Sequence, residues 1–132
     1  MPLGHLGVNV SDLADARAYY GALLPRLGFE LVHDRDDEFA FAPAQGKIGT
    51  YLFFYPAVEP GGYSRHRPGL QHLAFMVKTR AEVHAAHDWA VQRGATVLEG
   101  PQAFPQYGPN YFATFWLGPD DVMLEVVCHK PA

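Results

Sequence analysis

Three ionisable side chains are placed where they could hold a cation together. His5 opens the segment His5-Leu6-Gly7-Val8-Asn9-Val10, and His72 opens a similar one, His72-Leu73-Ala74-Phe75-Met76-Val77. Glu125 lies inside the apolar run Met123-Leu124-Glu125-Val126-Val127. Strand geometry alternates side chains between faces, so Leu6, Val8 and Val10 leave His5 on the opposite, concave side. Leu73, Phe75 and Val77 do the same for His72, and Leu124, Val126 and Cys128 for Glu125. A carboxylate among apolar neighbours is costly unless it is paired or bound to a cation. Two neutral imidazoles and one carboxylate form a facial triad with open coordination positions, suited to Fe(II), Mn(II), Ni(II), Co(II) or Zn(II). The plainer alternative, that these are ordinary packed or surface residues, is weakened by the matched positions of the two histidines.

The match extends beyond the histidines. Each segment reads as a strand followed by a helix, a glycine and further strands, and Gly28 and Gly94 follow their histidines by 23 and 22 residues. Ser11 or Asp12 caps a first helix running to about Leu27, which Pro25 ends or kinks and Gly28 closes. Thr79-Arg80-Ala81-Glu82 is a capping box for the second helix, ended by Gly94. Strands are expected at 28–32, 38–41 and 48–55 in the first half, and at 70–77, 96–99, 111–117 and 122–128 in the second. Gly100 to Asn110 reads as a long loop. The fold class expected is α+β, two tandem βαβββ modules forming curved mixed sheets around a concave metal site. Module one covers about 1–57, a linker rich in Pro and Gly about 58–69, and module two about 70–130 of a single domain. One half alone has too little core to be stable, so pairing of the halves is expected.

The bulk properties narrow the function classes. The 132 residues carry 48% hydrophobic and 18% charged residues with a formal charge of -4, so the basic stripe of a nucleic-acid binder is missing. No apolar run approaches the roughly 20 residues of a membrane helix. The N-terminus shows no basic-then-apolar leader, and the single Cys128 cannot form an internal disulfide, so a cytoplasmic location is expected.

Taken together, Gly4-His5-Leu6, Gly69-Leu70-Gln71-His72-Leu73-Ala74-Phe75 and Gly118-Pro119-Asp120-Asp121-Val122-Met123-Leu124-Glu125-Val126 resemble the vicinal oxygen chelate superfamily over nearly the whole chain. That group includes glyoxalase I, bleomycin-resistance proteins, fosfomycin-resistance thiol transferases and extradiol dioxygenases. The resemblance implies a divalent metal held by His5, His72 and Glu125, a substrate chelated through two neighbouring oxygens, and a homodimer. It departs from glyoxalase I at the fourth strand, where Thr50-Tyr51-Leu52-Phe53-Phe54-Tyr55 offers no acidic fourth ligand. Three ligands imply a ring-cleaving dioxygenase, or lyase, isomerase or transferase chemistry, rather than glyoxalase I activity.

Further residues could complete such a site. His66, within Arg65-His66-Arg67 of the linker, could act as a general acid or steer an anion, or be a solvated loop residue. Tyr107 and Tyr111 flank a possible lid, and the Tyr111 hydroxyl could donate to an oxyanion, although packing is its plainer role. Phe53 and Tyr55 share a strand face that could line an apolar pocket or belong to the core. The alternative function is a non-catalytic drug binder resembling bleomycin-resistance proteins. Its acidic charge would suit a cationic drug, but retention of the triad argues for an enzyme.

Overall fold

The structure, a computed structural model, describes residues 3–132. In chain order it comprises β1 (His5–Val10), α1 (Leu13–Leu23), β2 (Phe29–Arg35), β3 (Glu38–Pro43), β4 (Tyr51–Pro56), β5 (Leu73–Val77), α2 (Arg80–Gln92), β6 (Val97–Ala103), β7 (Phe112–Leu117) and β8 (Met123–Cys128). They form two compact units, Met1–Gly61 and Gly62–Ala132. Each unit has one four-stranded mixed sheet and one α-helix, with strand orders β1-β4-β3-β2 and β5-β8-β7-β6. One edge pairing is parallel in each, β1 with β4 and β5 with β8, and the remaining pairings are antiparallel.

In the first unit, Asp12 caps α1 by accepting a hydrogen bond from the Asp15 amide at 3.0 Å. Pro25 does not simply truncate the helix. The chain tightens into a 3₁₀ turn over Leu24–Leu27, and Gly28, at φ 87°, then reverses it into β2. α1 packs on β4: Tyr20 is buried and stacks on Phe54 at 4.4 Å, and Phe54 stacks on Phe39 at 4.8 Å. Strand parity follows the pattern read from the sequence. Val8 and Val10 are buried, whereas His5, Gly7 and Asn9 are exposed.

In the second unit, Thr79 caps α2 by accepting from the Glu82 amide at 3.2 Å, while its own hydroxyl donates to the Glu82 carboxylate. Val83, Ala86, Trp89 and Ala90 form the buried face of α2. Against one face of the sheet lie the fully buried Trp116, Leu124 and Val126. The opposite face carries its own apolar cluster, in which Phe104, Ala113 and Val127 are covered by Tyr111 and Phe115.

Several boundaries differ from those expected of the sequence. β6 continues through Gly100 and Pro101 to Ala103, so the following loop is shorter than the composition suggests. Pro101 is tolerated because β6 is a sheet edge with one partner, and the register shifts on both sides of Glu99 absorb the irregularity. The buried Thr114 hydroxyl donates to the Glu99 carbonyl at 2.8 Å across this bulge. β4 begins at Tyr51, leaving Ile48 81% exposed, and β5 begins at Leu73, directly after His72. No helix among the described residues is long and apolar enough to cross a membrane.

Candidate functional site

The chemistry of the second unit converges on Glu125. β8 is reached through the turn Gly118–Asp121, where Asp120 and Asp121 take left-handed conformations and the Gly118 amide bonds back to the Val122 carbonyl at 2.9 Å. That reversal sets β8 antiparallel to β7 and pairs Glu125 with Phe115. On its other side Glu125 pairs with Ala74 of β5, two residues after His72 and therefore on the same sheet face. Glu125 is 1% exposed. Its Oε1 lies 3.0 Å from His72 Nε2, and its Oε2 accepts a hydrogen bond from the Tyr111 hydroxyl.

The remaining His72 nitrogen is also engaged. Nδ1 meets the side-chain oxygen of Gln71. The ring is thus held at both nitrogens, by Gln71 on one side and by the Glu125 carboxylate, a hydrogen-bond acceptor, on the other. With Nε2 deprotonated, the same two atoms are a nitrogen and an oxygen donor side by side. The donor set therefore fits a divalent cation: one imidazole nitrogen fixed by an outer hydrogen bond, and one buried carboxylate steadied by another. Among the described residues, no three His, Cys, Asp or Glu side chains form a ready metal cluster.

Tyr111 is pushed well above the usual phenol range, first by burial and then by its hydrogen bond and proximity to the Glu125 carboxylate. It remains a neutral donor. Its ring stands edge-on to Phe104, Tyr107 and His129, with the last at 5.0 Å. Tyr107 is 63% exposed at the loop tip, and Phe104 closes that loop through a backbone bond to Tyr111 at 2.8 Å. His66 occupies an exposed turn, and its amide donates to Ser64 Oγ. The turn is held by Tyr63, whose hydroxyl donates to the Leu70 carbonyl at 2.6 Å.

The first unit presents the corresponding positions with different chemistry. β1 pairs with β4 so that Gly7, two residues after His5, lies opposite Phe53, as Ala74 lies opposite Glu125. Phe53 thus stands where the repeat would place a carboxylate. His5 is exposed and meets the Phe53 ring edge-on at 5.4 Å. Tyr55 stacks with Phe53 at 6.2 Å and lies over Gly7, where a Cβ would come within 3.2 Å of the ring. His33 of β2 lies 6.2 Å from Phe53 and pairs with Glu38 at 3.5 Å.

Sequence reasoning missed Gln71 and His129. Gln71 directly precedes His72, but adjacency alone does not reveal that its side chain turns onto the ring.

A sequence profile of the Glyoxalase/Bleomycin resistance protein/Dioxygenase superfamily matches residues 3–126. The chain belongs to this superfamily. Among curated relatives, the uncharacterised protein YqjT of Bacillus subtilis (strain 168) is 29% identical over 126 residues, covering 93% of this chain and 95% of its own. A solved structure from Bacillus halodurans, described as a candidate glyoxalase, is 28% identical with a TM-score of 0.79, covering 96% of this chain and 94% of its own. A glyoxalase/dioxygenase from Nostoc punctiforme, 18% identical with a TM-score of 0.75, covers 97% of this chain and 90% of its own and supports the fold alone. Superfamily membership agrees with the tandem βαβββ arrangement of the two units.

Proposed function

We propose that the chain is a divalent-metal-dependent enzyme acting on a small substrate bound through two neighbouring oxygens. The chemistry is ring-cleaving dioxygenation or a lyase, isomerase or transferase reaction. The observation that carries this reading is the buried Glu125 carboxylate facing His72 Nε2 at 3.0 Å. A carboxylate 1% exposed, next to an imidazole and with no Lys or Arg ion pair among the described residues, is costly for stability and useful for holding a cation.

In this reading His5, His72 and Glu125 are the ligands of an Fe, Mn, Ni, Co or Zn ion, with His5 supplied by module one. The ion supplies Lewis acidity and a template for two substrate oxygens. Tyr111, remaining protonated, keeps Glu125 in one orientation by donating to Oε2, and it is the donor that would turn from Oε2 to a substrate oxyanion as negative charge develops. His66 serves as a general acid from the 61–69 loop. Phe53, Tyr55 and the exposed Tyr107 ring receive the apolar part of the substrate. The protein works as a cytoplasmic homodimer.

The stacked Phe53 and Tyr55 rings favour one second reading, a non-catalytic drug binder. Elemental analysis of untagged protein separates the two. About one metal per chain, lost in His72→Ala and Glu125→Gln, is the expected result, whereas a folded parent that is metal-free and cannot be loaded overturns the enzyme reading.

A further inference from the structure

We infer that Arg80 and His84 form an oxyanion-binding site on the α2 side of the second sheet, taking the phosphate or carboxylate group of a small ligand. The two side chains stand one turn apart on α2 and meet the same aromatic ring. The Arg80 guanidinium carbon lies 4.8 Å from the centre of the Phe112 ring, a cation–π contact that holds the planar fork against it. The His84 ring lies 5.4 Å from the same centre. Arg80 Nε is buried without a hydrogen-bond partner, and no Asp or Glu forms an ion pair with this guanidinium among the described residues. A buried N–H of a charged group left without an acceptor costs free energy, which a bound oxyanion would offset.

The helix sequence leaves the guanidinium without an internal counterion. An acid three or four residues further on would steady Arg80, but those positions hold Val83 and His84. When His84 is protonated, the helix carries two like charges at neighbouring positions, which is unfavourable alone and favourable around a shared anion. The acids of α2 do not cancel the pair. Glu82 is taken by the Thr79 hydroxyl at 3.0 Å, and Asp88 lies one turn beyond His84, away from Arg80. The other buried nitrogen without a partner, His87 Nδ1, continues the same stripe of α2. Strand alternation places Phe112 on the side of β7 opposite Ala113, which packs with Val127 on the face that carries Glu125. A ligand at Arg80 and His84 therefore leaves His72 and Glu125 free.

The test uses the full chain treated with a chelator, so its outcome does not depend on the metal reading. Proton–nitrogen correlation spectra follow the arginine Nε–H signals as inorganic phosphate is added at constant ionic strength, with acetate as the second arm. Arg17, whose Nε already donates to Asp34 at 2.9 Å, is the internal control. The expected result is a saturable shift of the Arg80 signal with Arg17 unmoved. Phosphate should bind more tightly than acetate, because it has oxygens for both Arg80 and His84. Arg80→Lys keeps the charge but loses the planar fork, and should bind phosphate about tenfold more weakly. His84→Ala should remove the preference for phosphate over acetate. A drift of all arginine signals without saturation, or unchanged phosphate affinity in Arg80→Lys, overturns the inference. A preference for phosphate that survives in His84→Ala overturns the assignment of the site to this pair.

Discussion

Glu125 sits at the bottom of a hydrogen-bonded chain running Gln71, His72, Glu125, Tyr111. A buried carboxylate of this kind costs stability in the absence of a bound cation, which the proposed metal would offset. Glu125→Met, apolar and of similar volume, is therefore expected to melt at the parent's temperature or above it, by about 1 kcal/mol, while losing divalent-metal uptake. Thermal melts in the presence of a chelator check this, and a marked loss of stability would mean that Glu125 is there to hold the fold. Tyr111→Phe removes one donor and leaves the ring packing with Phe104, Tyr107 and His129 intact. It should fold normally and bind Co(II) more weakly, as calorimetry would record, because the carboxylate then loses the hydrogen bond that steadies Oε2. Glu125 was legible in the sequence because a charge amid four apolar neighbours is anomalous wherever it lies. The Tyr111 contact was not, since it joins β8 to the residue just before β7, and the sequence does not state the register of those strands.

At the level of elements, the capping signals convert most directly into structure. Thr79 and Glu82 bond reciprocally at the start of α2, so Thr79→Ala should cost about 1 kcal/mol in denaturant unfolding with little effect on metal affinity. The 63–70 turn depends on the Tyr63 hydroxyl donating to Leu70. Burial raises the Tyr63 phenol above its usual value of 10.0, with Arg65 pulling the other way. The folded state thus favours the neutral phenol, and this contribution to stability is complete below the unfolded value and is lost as pH rises through the raised folded one. The melting difference between the parent and Tyr63→Phe should accordingly shrink between neutral and strongly alkaline pH. β6 was under-read because Gly100 and Pro101 are ordinarily loop residues. An edge position and two register shifts make them acceptable in a strand, and neither condition is local to the sequence.

For the whole molecule, the proposed metal binding would be linked to stability. A divalent ion at about 100 times its dissociation constant stabilises the folded state by about 2.7 kcal/mol, which for a chain of this length raises the melting temperature by several degrees. Scanning calorimetry with and without Co(II) should show that rise in the parent and its absence in Glu125→Gln. His5→Ala carries the decisive comparison. Loss of the rise there would mean that module one contributes a ligand, whereas an undiminished rise would confine the cation to the His72–Glu125 pair. The tandem arrangement itself was readable because a duplicated pattern repeats its helix caps, glycines and strand parity at a fixed offset.

The sequence by itself determined the repeat, the helix caps, the strand faces and the residue types available for chemistry, because alternation along a strand and capping at a helix end are local properties. It also marked the fourth strand as lacking a carboxylate, and the β1–β4 register then assigned that position to Phe53. Only the tertiary structure decided that Glu125 is almost fully buried, that Tyr111 and His72 share its two oxygens, and that Gln71 holds the far side of the imidazole. Those contacts depend on register between strands distant in sequence and on side-chain rotation in the residues just before a strand begins. Neither leaves a periodic trace in the chain.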